Sequence, residues 1–211
     1  IFSIQTKYRK EIIQLSWNTC SYDQWQNWMT KAGRSNRLQL WEYGQAKSKV
    51  EGWSVKRCTI LLENKPIAFV QVLQKKIAKL FTVSRINQGP LFIEECDPEI
   101  QKKVLSKISN ELAGIFKRKI LSIRPEMFLS GESIFWLDEL GIRQFDHSSW
   151  ESVWVDLSNE TEYLRQRLDV KWRNMLSSAE RKDLTLDVST GKEAFDWILT
   201  RCNDMMLKRG L

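Results

Sequence analysis

Five side chains in the last quarter of the sequence carry its clearest chemical pattern. Arg167, Lys171, Asn174, Ser178 and Arg181 follow one another at steps of 4, 3, 4 and 3, the spacing that lines residues up along one side of a helix. Beside them Leu164, Leu168, Trp172, Met175, Leu176 and Ala179 fall in an apolar arc. Three cations, an amide and a hydroxyl at the edge of such an arc suit an anionic ligand laid along the helix. Arg offers phosphate or carboxylate a bidentate fork, and Lys a point charge. The same pattern also describes a helix whose flank is simply wet, with Arg167 and Lys171 lying over the core.

Other chemistries find less support. The single histidine, His147, sits in Asp146-His147-Ser148-Ser149 with no nucleophile signature nearby, and reads as a turn or surface residue rather than part of a Ser-His-Asp or Cys-His site. Cys20, Cys58, Cys96 and Cys202 lie 38, 38 and 106 positions apart. Paired zinc ligands are therefore missing, no metal is expected, and the thiols read as free, in a reducing, cytoplasmic setting. Neither Gly-x-x-x-x-Gly-Lys-Ser/Thr nor Gly-x-Gly-x-x-Gly occurs. Of the 10 tryptophans, Trp25, Trp28, Trp172 and Trp197 sit at core spacing, so their number does not require a base-stacking platform.

These residues must be positioned by a chain of 211 residues with 33 Lys+Arg against 26 Asp+Glu, a formal charge of +7. At 42% hydrophobic it can bury a core. The charge suits anionic partners, but acids are interleaved with bases and the excess is diffuse. No run approaches the roughly 18 apolar residues of a membrane span, and no secretory signal pattern opens the sequence. Ile1 rather than Met stands first, so upstream residues are expected.

Hydrophobic periodicity predicts a strand at Phe2–Thr6, then a helix behind Ser21 and a helix over Leu38–Val50 stopped by Gly52. Strands follow at Val55–Leu62, Pro66–Leu73 and Leu80–Arg85. Asp97-Pro98 opens a helix whose inward residues are Ile100, Val104, Leu105, Ile108, Leu112 and Phe116. A strand at Ile120–Arg124 and a helix at Ser133–Leu140 come next. The remainder reads as a strand at Ser152–Leu157, one helix running to about Lys182, a strand at Leu184–Val188, and a helix over Glu193–Lys208 with Trp197, Ile198 and Met205 inward. The fold class is α+β (mixed α/β), a central mixed sheet flanked by helices, after which a similar unit begins.

Three segments carry a family resemblance. They are Gln39-Leu-Trp41-Glu-Tyr-Gly44-Gln-Ala-Lys47 with Gly52-Trp53; Pro66-Ile-Ala-Phe-Val-Gln71 with Arg85-Ile-Asn87-Gln-Gly89-Pro90; and Lys171-Trp-Arg173-Asn174-Met-Leu-Ser-Ser-Ala179-Glu180-Arg181. In this order they resemble the Fem family of aminoacyltransferases, within the GNAT acyltransferase superfamily. The resemblance implies one GNAT-like domain over 1–149 and the first part of a second over 150–211. It implies an acyltransferase that moves an aminoacyl or acyl group onto an amine acceptor, as in peptidoglycan interpeptide bridge or other cell-envelope synthesis. The donor would be aminoacyl-tRNA or acyl-CoA, with no covalently bound cofactor.

The acceptor implied is anionic, a cell-wall precursor or a sugar, and tRNA and a peripheral membrane surface stay open as further partners. Lys47, Arg85, Asn87 and the stripe Arg167, Lys171, Asn174, Ser178 and Arg181 would bind that acceptor in one cleft at the domain junction. Two departures stand out. Gln88-Gly89-Pro90 replaces the family's Arg-Gly-Pro, and no Arg/Gln-x-x-Gly-x-Gly/Ala donor turn is found, so residues 1–211 are not expected to act unaided. The general base is not identified. Two alternatives stay open, an acyl-CoA-dependent N-acetyltransferase acting on a sugar or small amine, and a non-catalytic basic module binding nucleic acid or an anionic surface.

Overall fold

In the computed structural model, residues 12–33, 36–114, 116, 118–127, 131–144, 155–182, 184–185 and 187–210 are described. The chain divides into two units, Ile1–His147 and Ser148–Leu211. The first is built on a mixed sheet of strands β1 (Ile13–Trp17), β2 (Ser54–Leu62), β3 (Lys65–Ile77), β4 (Phe81–Asn87), β5 (Leu91–Phe92) and β6 (Lys119–Arg124). The order is β1-β2-β3-β4-β6, with β5 pairing β3. All pairs are antiparallel except β4 with β6.

Local chemistry explains most of the boundaries. Helix α1 (Tyr22–Lys31) starts at a capping box in which the Ser21 hydroxyl accepts from Gln24 N–H and the Gln24 side chain accepts from Ser21 N–H. A 3₁₀ turn at Arg37–Gln39 precedes helix α2 (Trp41–Glu51), so the helix expected from Leu38 is broken at Leu40. Helix α3 (Pro98–Leu112) has Asp97 as its cap and Pro98 in its first turn. Helix α4 (Gly131–Glu139) ends before Gly141, which is left-handed at φ 70°. The β2–β3 turn places Glu63 and Asn64 at φ 49° and 67°, the twist that a tight hairpin needs.

Strand β3 shows how the sheet is covered on both faces. Ala68, Val70 and Val72 pack with Cys58, Ile60, Ile86 and the α3 residues Val104, Ile108 and Leu112. Phe69, on the alternate face, packs with Trp25 and Met29 of α1 and with Leu91. A strand buried on both sides reads as a near-continuous apolar run. Cys58 lies in the first cluster, where burial pushes its thiol up to about 12. All four cysteines are free.

Several expectations need correction. Phe2–Thr6 lies outside the described residues, and the strand of this region found among them is Ile13–Trp17. Phe116 lies beyond the end of α3 and is fully exposed rather than inward.

The second unit differs most from expectation. Its helices are α5 (Thr161–Arg167), α6 (Val170–Glu180) and α7 (Lys192–Lys208). The single helix expected up to Lys182 is cut at Leu168, which is extended at ψ 142°, and Asp169 caps a new helix by accepting from Lys171 N–H at 2.9 Å. Leu184, Thr185, Asp187 and Val188 are not in a strand. Neither are Val155 to Leu157, the described part of the other expected strand. Helices α5, α6 and α7 hold no buried residue among those described.

Candidate functional site

Helix α2 ends where Gly52 turns left-handed at φ 68°, a conformation that costs a residue with a Cβ. The Gly52 N–H then reaches the Ser48 carbonyl at 3.1 Å and the Trp53 N–H reaches that of Lys47 at 3.3 Å. This turn brings the Trp53 indole back beside the last turn of the helix. Its Nε1–H donates to Glu51 Oε2 at 3.1 Å, while the Lys47 ammonium donates to Glu51 Oε1.

The sheet supplies the other half. Leu73 pairs Arg85 and Lys75 pairs Val83, so Lys75 and Arg85 stand on the face that also carries Phe69 and Gln71. Lys75 Nζ donates to the Glu51 carbonyl at 3.1 Å and lies 5.7 Å from the centre of the Trp53 ring. The Arg85 guanidinium is 5.3 Å from the same ring. On β6, Ser122 pairs Arg85 and Arg124 pairs Asn87. Lys75, Arg85, Ser122 and Arg124 are all exposed, which leaves this strip of the sheet open to a ligand.

Charge accounting gives the strip its character. Lys47 and Lys75 act on one carboxylate, Glu51, while Arg85 lies over Trp53 and Arg124 stands on the neighbouring strand. The hydrogen bond from Lys47, then that from Trp53, holds the Glu51 carboxyl below the usual carboxylate range. The same bond holds the Lys47 ammonium above its ordinary value, while the Arg85 charge pulls the other way. Lys47 is therefore a cation at neutral pH. The strip can bind an anion, with an indole face as its platform.

Beneath it lies a buried layer of side-chain amides. Gln39, fully buried, donates to the Asn87 carbonyl at 2.6 Å and accepts from Gln71 N–H at 2.7 Å. Gln71 Nε2 donates to the Leu40 carbonyl at 3.0 Å. A Cβ at Gly44 would stand 2.3 Å from Gln71 Oε1, and one at Gly89 would stand 2.9 Å from Gln39 Nε2. Gln39, Gly44, Gln71 and Gly89 thus lock α2 and the end of β4 in place, and they do not themselves reach the open strip.

Of the expected site residues, Lys47, Arg85 and Asn87 share this region. The other five lie in the second unit, on two helices instead of one. Arg167 ends α5, its guanidinium 5.7 Å from the Tyr163 ring centre. Lys171, Asn174 and Ser178 lie along α6, and Arg181 is its C-cap. The continuous stripe therefore does not form. Trp172 and Met175 of the apolar arc are 63% and 53% exposed, so the arc is not a buried face.

Lys75, Glu51, Trp53 and Arg124 were missed as site residues. Period 2 along β3 from Gln71 would have found Lys75, and the i,i+4 spacing from Lys47 would have found Glu51. A groove of about 310 Å³ lined by Glu99, Lys102, Lys103, Ser106, Lys107, Asn110 and Leu140 lies elsewhere, along α3. The Lys102–Glu139 pair, at 2.5 Å, sets acid against base there. Among the described residues no group of three or more His, Cys, Asp or Glu is placed to hold a metal ion. No described helix is long and apolar enough to cross a membrane.

The mixed sheet with helices on both faces and one parallel pair, β4 with β6, has a Fem-like fold. The crystal structure of FemX superposes with a TM-score of 0.66 at 16% sequence identity, over 93% of this chain and 51% of that one. The chain thus spans about half the length of FemX. The crystal structure of a ribosomal-protein-alanine N-acetyltransferase from Brucella melitensis biovar Abortus 2308 gives a TM-score of 0.40 at 9% identity, over 68% of this chain and 100% of that one. No family model matches the chain, and no curated protein matches it in sequence.

Proposed function

We propose that the chain belongs to an acyltransferase that moves an aminoacyl or acyl group onto an amine, and that its first unit binds the anionic acceptor. The observation that carries this is the pair of cations, Lys75 and Arg85, set against the Trp53 ring beside the Lys47–Glu51 pair. Its occurrence on a Fem-like fold supports a cell-wall precursor as acceptor, with a cytoplasmic site of action. The acceptor amine attacks the ester or thioester carbonyl, the new C–N bond forms as the C–O or C–S bond breaks, and the amine proton is released. Backbone amides would stabilise the oxyanion. The donor is aminoacyl-tRNA or acyl-CoA. Residues 150–211 are proposed as the opening of a second GNAT-like domain, in which Lys171, Asn174 and Ser178, with Arg167 and Arg181, supply further anion contacts.

Calorimetric titration with a uridine-diphosphate-linked muramyl peptide tests the acceptor. Arg85→Ala and Lys47→Ala are each expected to weaken binding about fivefold to tenfold, or about 1–1.4 kcal/mol, the exposed setting holding the loss below that of a buried contact. Glu51→Gln should tighten it, because the acid competing for Lys47 is gone. Lys102→Ala, on the α3 groove, should be silent. Equal losses at Lys102 and Arg85, or weaker binding in Glu51→Gln, would sink the assignment.

A further inference from the structure

The tip of the β3–β4 hairpin exposes what a folded protein ordinarily hides. Ile77, Leu80 and Phe81 are 53%, 55% and 41% exposed. Ile77 pairs Phe81, and the Leu80 N–H closes the turn on the Ile77 carbonyl at 3.1 Å. Ala78 and Lys79, its central residues, stand at φ 50° and 56°, so the turn is of the tight mirror-image kind, built without glycine. The start of β6 lies alongside, since Thr82 pairs Lys119 and its N–H reaches the Arg118 carbonyl at 2.9 Å. Phe116, 104% exposed, and Ile120, 51% exposed, therefore belong to the same end of the sheet.

Within the two segments that form this apolar tip the charged residues have one sign. Lys75, Lys76, Lys79 and Arg118 are exposed. Neither Gln74–Arg85 nor Phe116–Ile120 contains a single Asp or Glu. The Lys119 ammonium rests on a neutral acceptor, the Glu111 carbonyl at 3.0 Å, while Lys75, farther from the tip, donates to the Glu51 carbonyl at 3.1 Å and lies near its carboxylate. The Glu111 carboxylate accepts from Trp17 Nε1 at 2.7 Å.

We propose that this tip docks the protein on an anionic lipid bilayer. Side chains of Ile77, Leu80, Phe81 and Phe116 enter the boundary between headgroups and acyl chains, while Lys76, Lys79 and Arg118 lie at the level of the lipid phosphates, their stems along the apolar surface. Charge complementarity selects the partner. A protein partner of neutral character would leave the cations unmatched, and a nucleic-acid backbone would leave exposed aliphatic residues such as Ile77 and Leu80 in water with nothing to stack on. Lysines that served only to keep a sheet end from pairing with another copy would not need an apolar tip between them.

The experiment is co-sedimentation of the full chain with vesicles of phosphatidylcholine and phosphatidylglycerol in equal parts, against vesicles of phosphatidylcholine alone. It uses neither acceptor nor donor, so its result is independent of the acyltransferase reading. The chain should bind the mixed vesicles and not the neutral ones, and binding should weaken as salt rises. Lys76→Glu with Lys79→Glu should weaken it at least about tenfold. Ile77→Ser with Leu80→Ser should weaken it severalfold with the salt dependence kept. Lys102→Glu with Lys107→Glu, on the α3 groove, should stay within about twofold, and unchanged far-ultraviolet dichroism shows that each variant is folded. Equal binding to both vesicles, equal losses at tip and groove, an intact signal in both tip variants, or binding to RNA without binding to vesicles overturns the proposal.

Discussion

The two units use similar residues to opposite effect. In the first, Trp25 and Phe69 vanish from solvent and meet edge-to-face at 4.8 Å. In the second, helix α7 has an equally clear aromatic and aliphatic pattern, yet Phe195, Trp197 and Ile198 are 61%, 62% and 52% exposed. Periodicity says which side of a helix is apolar. It does not say that something covers that side. In the first unit the cover is a sheet, and the same sheet gives Lys75 and Arg85 fixed places beside Trp53. Among the described residues of the second unit there is no strand, so Lys171, Asn174 and Ser178 take their places from the helix alone.

Substitution of one tryptophan in each unit is the strongest test of that contrast. Trp25→Ala removes a fully buried ring and strands the Gln39 carbonyl that its indole reaches at 2.9 Å. The cost should be about 3–5 kcal/mol. Trp25→Phe keeps most of the volume and loses mainly the hydrogen bond, at about 1–2 kcal/mol. Trp197→Ala should change stability by no more than about 0.5 kcal/mol. Urea denaturation followed by circular dichroism gives all three. A loss at Trp197 to match that at Trp25 would mean that the α7 face is covered in solution, and the contrast between units would fail.

What could be read without the structure divides along the same line. Ser21, Asp97-Pro98 and Gly52 act through the nearest turns of chain, so the helix ends they set were legible. The resemblance singled out Lys47 and Arg85, and the structure sets them beside the Glu51–Trp53 turn. The face of Lys75 follows from period 2 along β3, but its place beside Trp53 depends on the register of β3 against β4 and on the exit of α2. Gln39 and Gln71 carry motif positions, but only packing reveals that they sit beneath the site. The break at Leu168 was hidden because Leu168 keeps the apolar period, although Asp169 ahead of Val170 was a readable cap. Leu184–Val188 has strand-like residues, and a strand also needs a neighbour.

A smaller effect probes the layer that holds the site. In a helix, Ala is ordinarily better than Gly by about 1 kcal/mol, so Gly44→Ala would stabilise an uncrowded α2. Here the new Cβ would lie 2.3 Å from Gln71 Oε1 and 2.6 Å from its Cδ. Gln71 cannot swing away without giving up its bond to the Leu40 carbonyl. The net change should be a loss of about 1–3 kcal/mol, read as a lower melting midpoint. A midpoint equal to or above that of the parent would mean that the amide layer is loose and does not fix α2.

The smallest expected effect lies in the second unit. Arg165 of α5 makes a two-pronged contact with Glu180 of α6, at 2.8 and 2.7 Å, and adds a bond to Ser177 Oγ at 2.9 Å. The contact holds the Arg165 guanidinium above its ordinary value and the Glu180 carboxyl below its own. Both groups face solvent, so salt screens them and the pair adds little to global stability. What it can do is keep α5 folded back on α6 across the break at Leu168. Arg165→Ala should therefore leave the urea midpoint where it was, while amide exchange in Thr161–Arg167 quickens. In strong salt the parent protein should exchange like the variant, because screening removes the same contact. Exchange unchanged in α5, or quickened equally through α7, would mean that apolar contacts and not this ion pair hold the two short helices together.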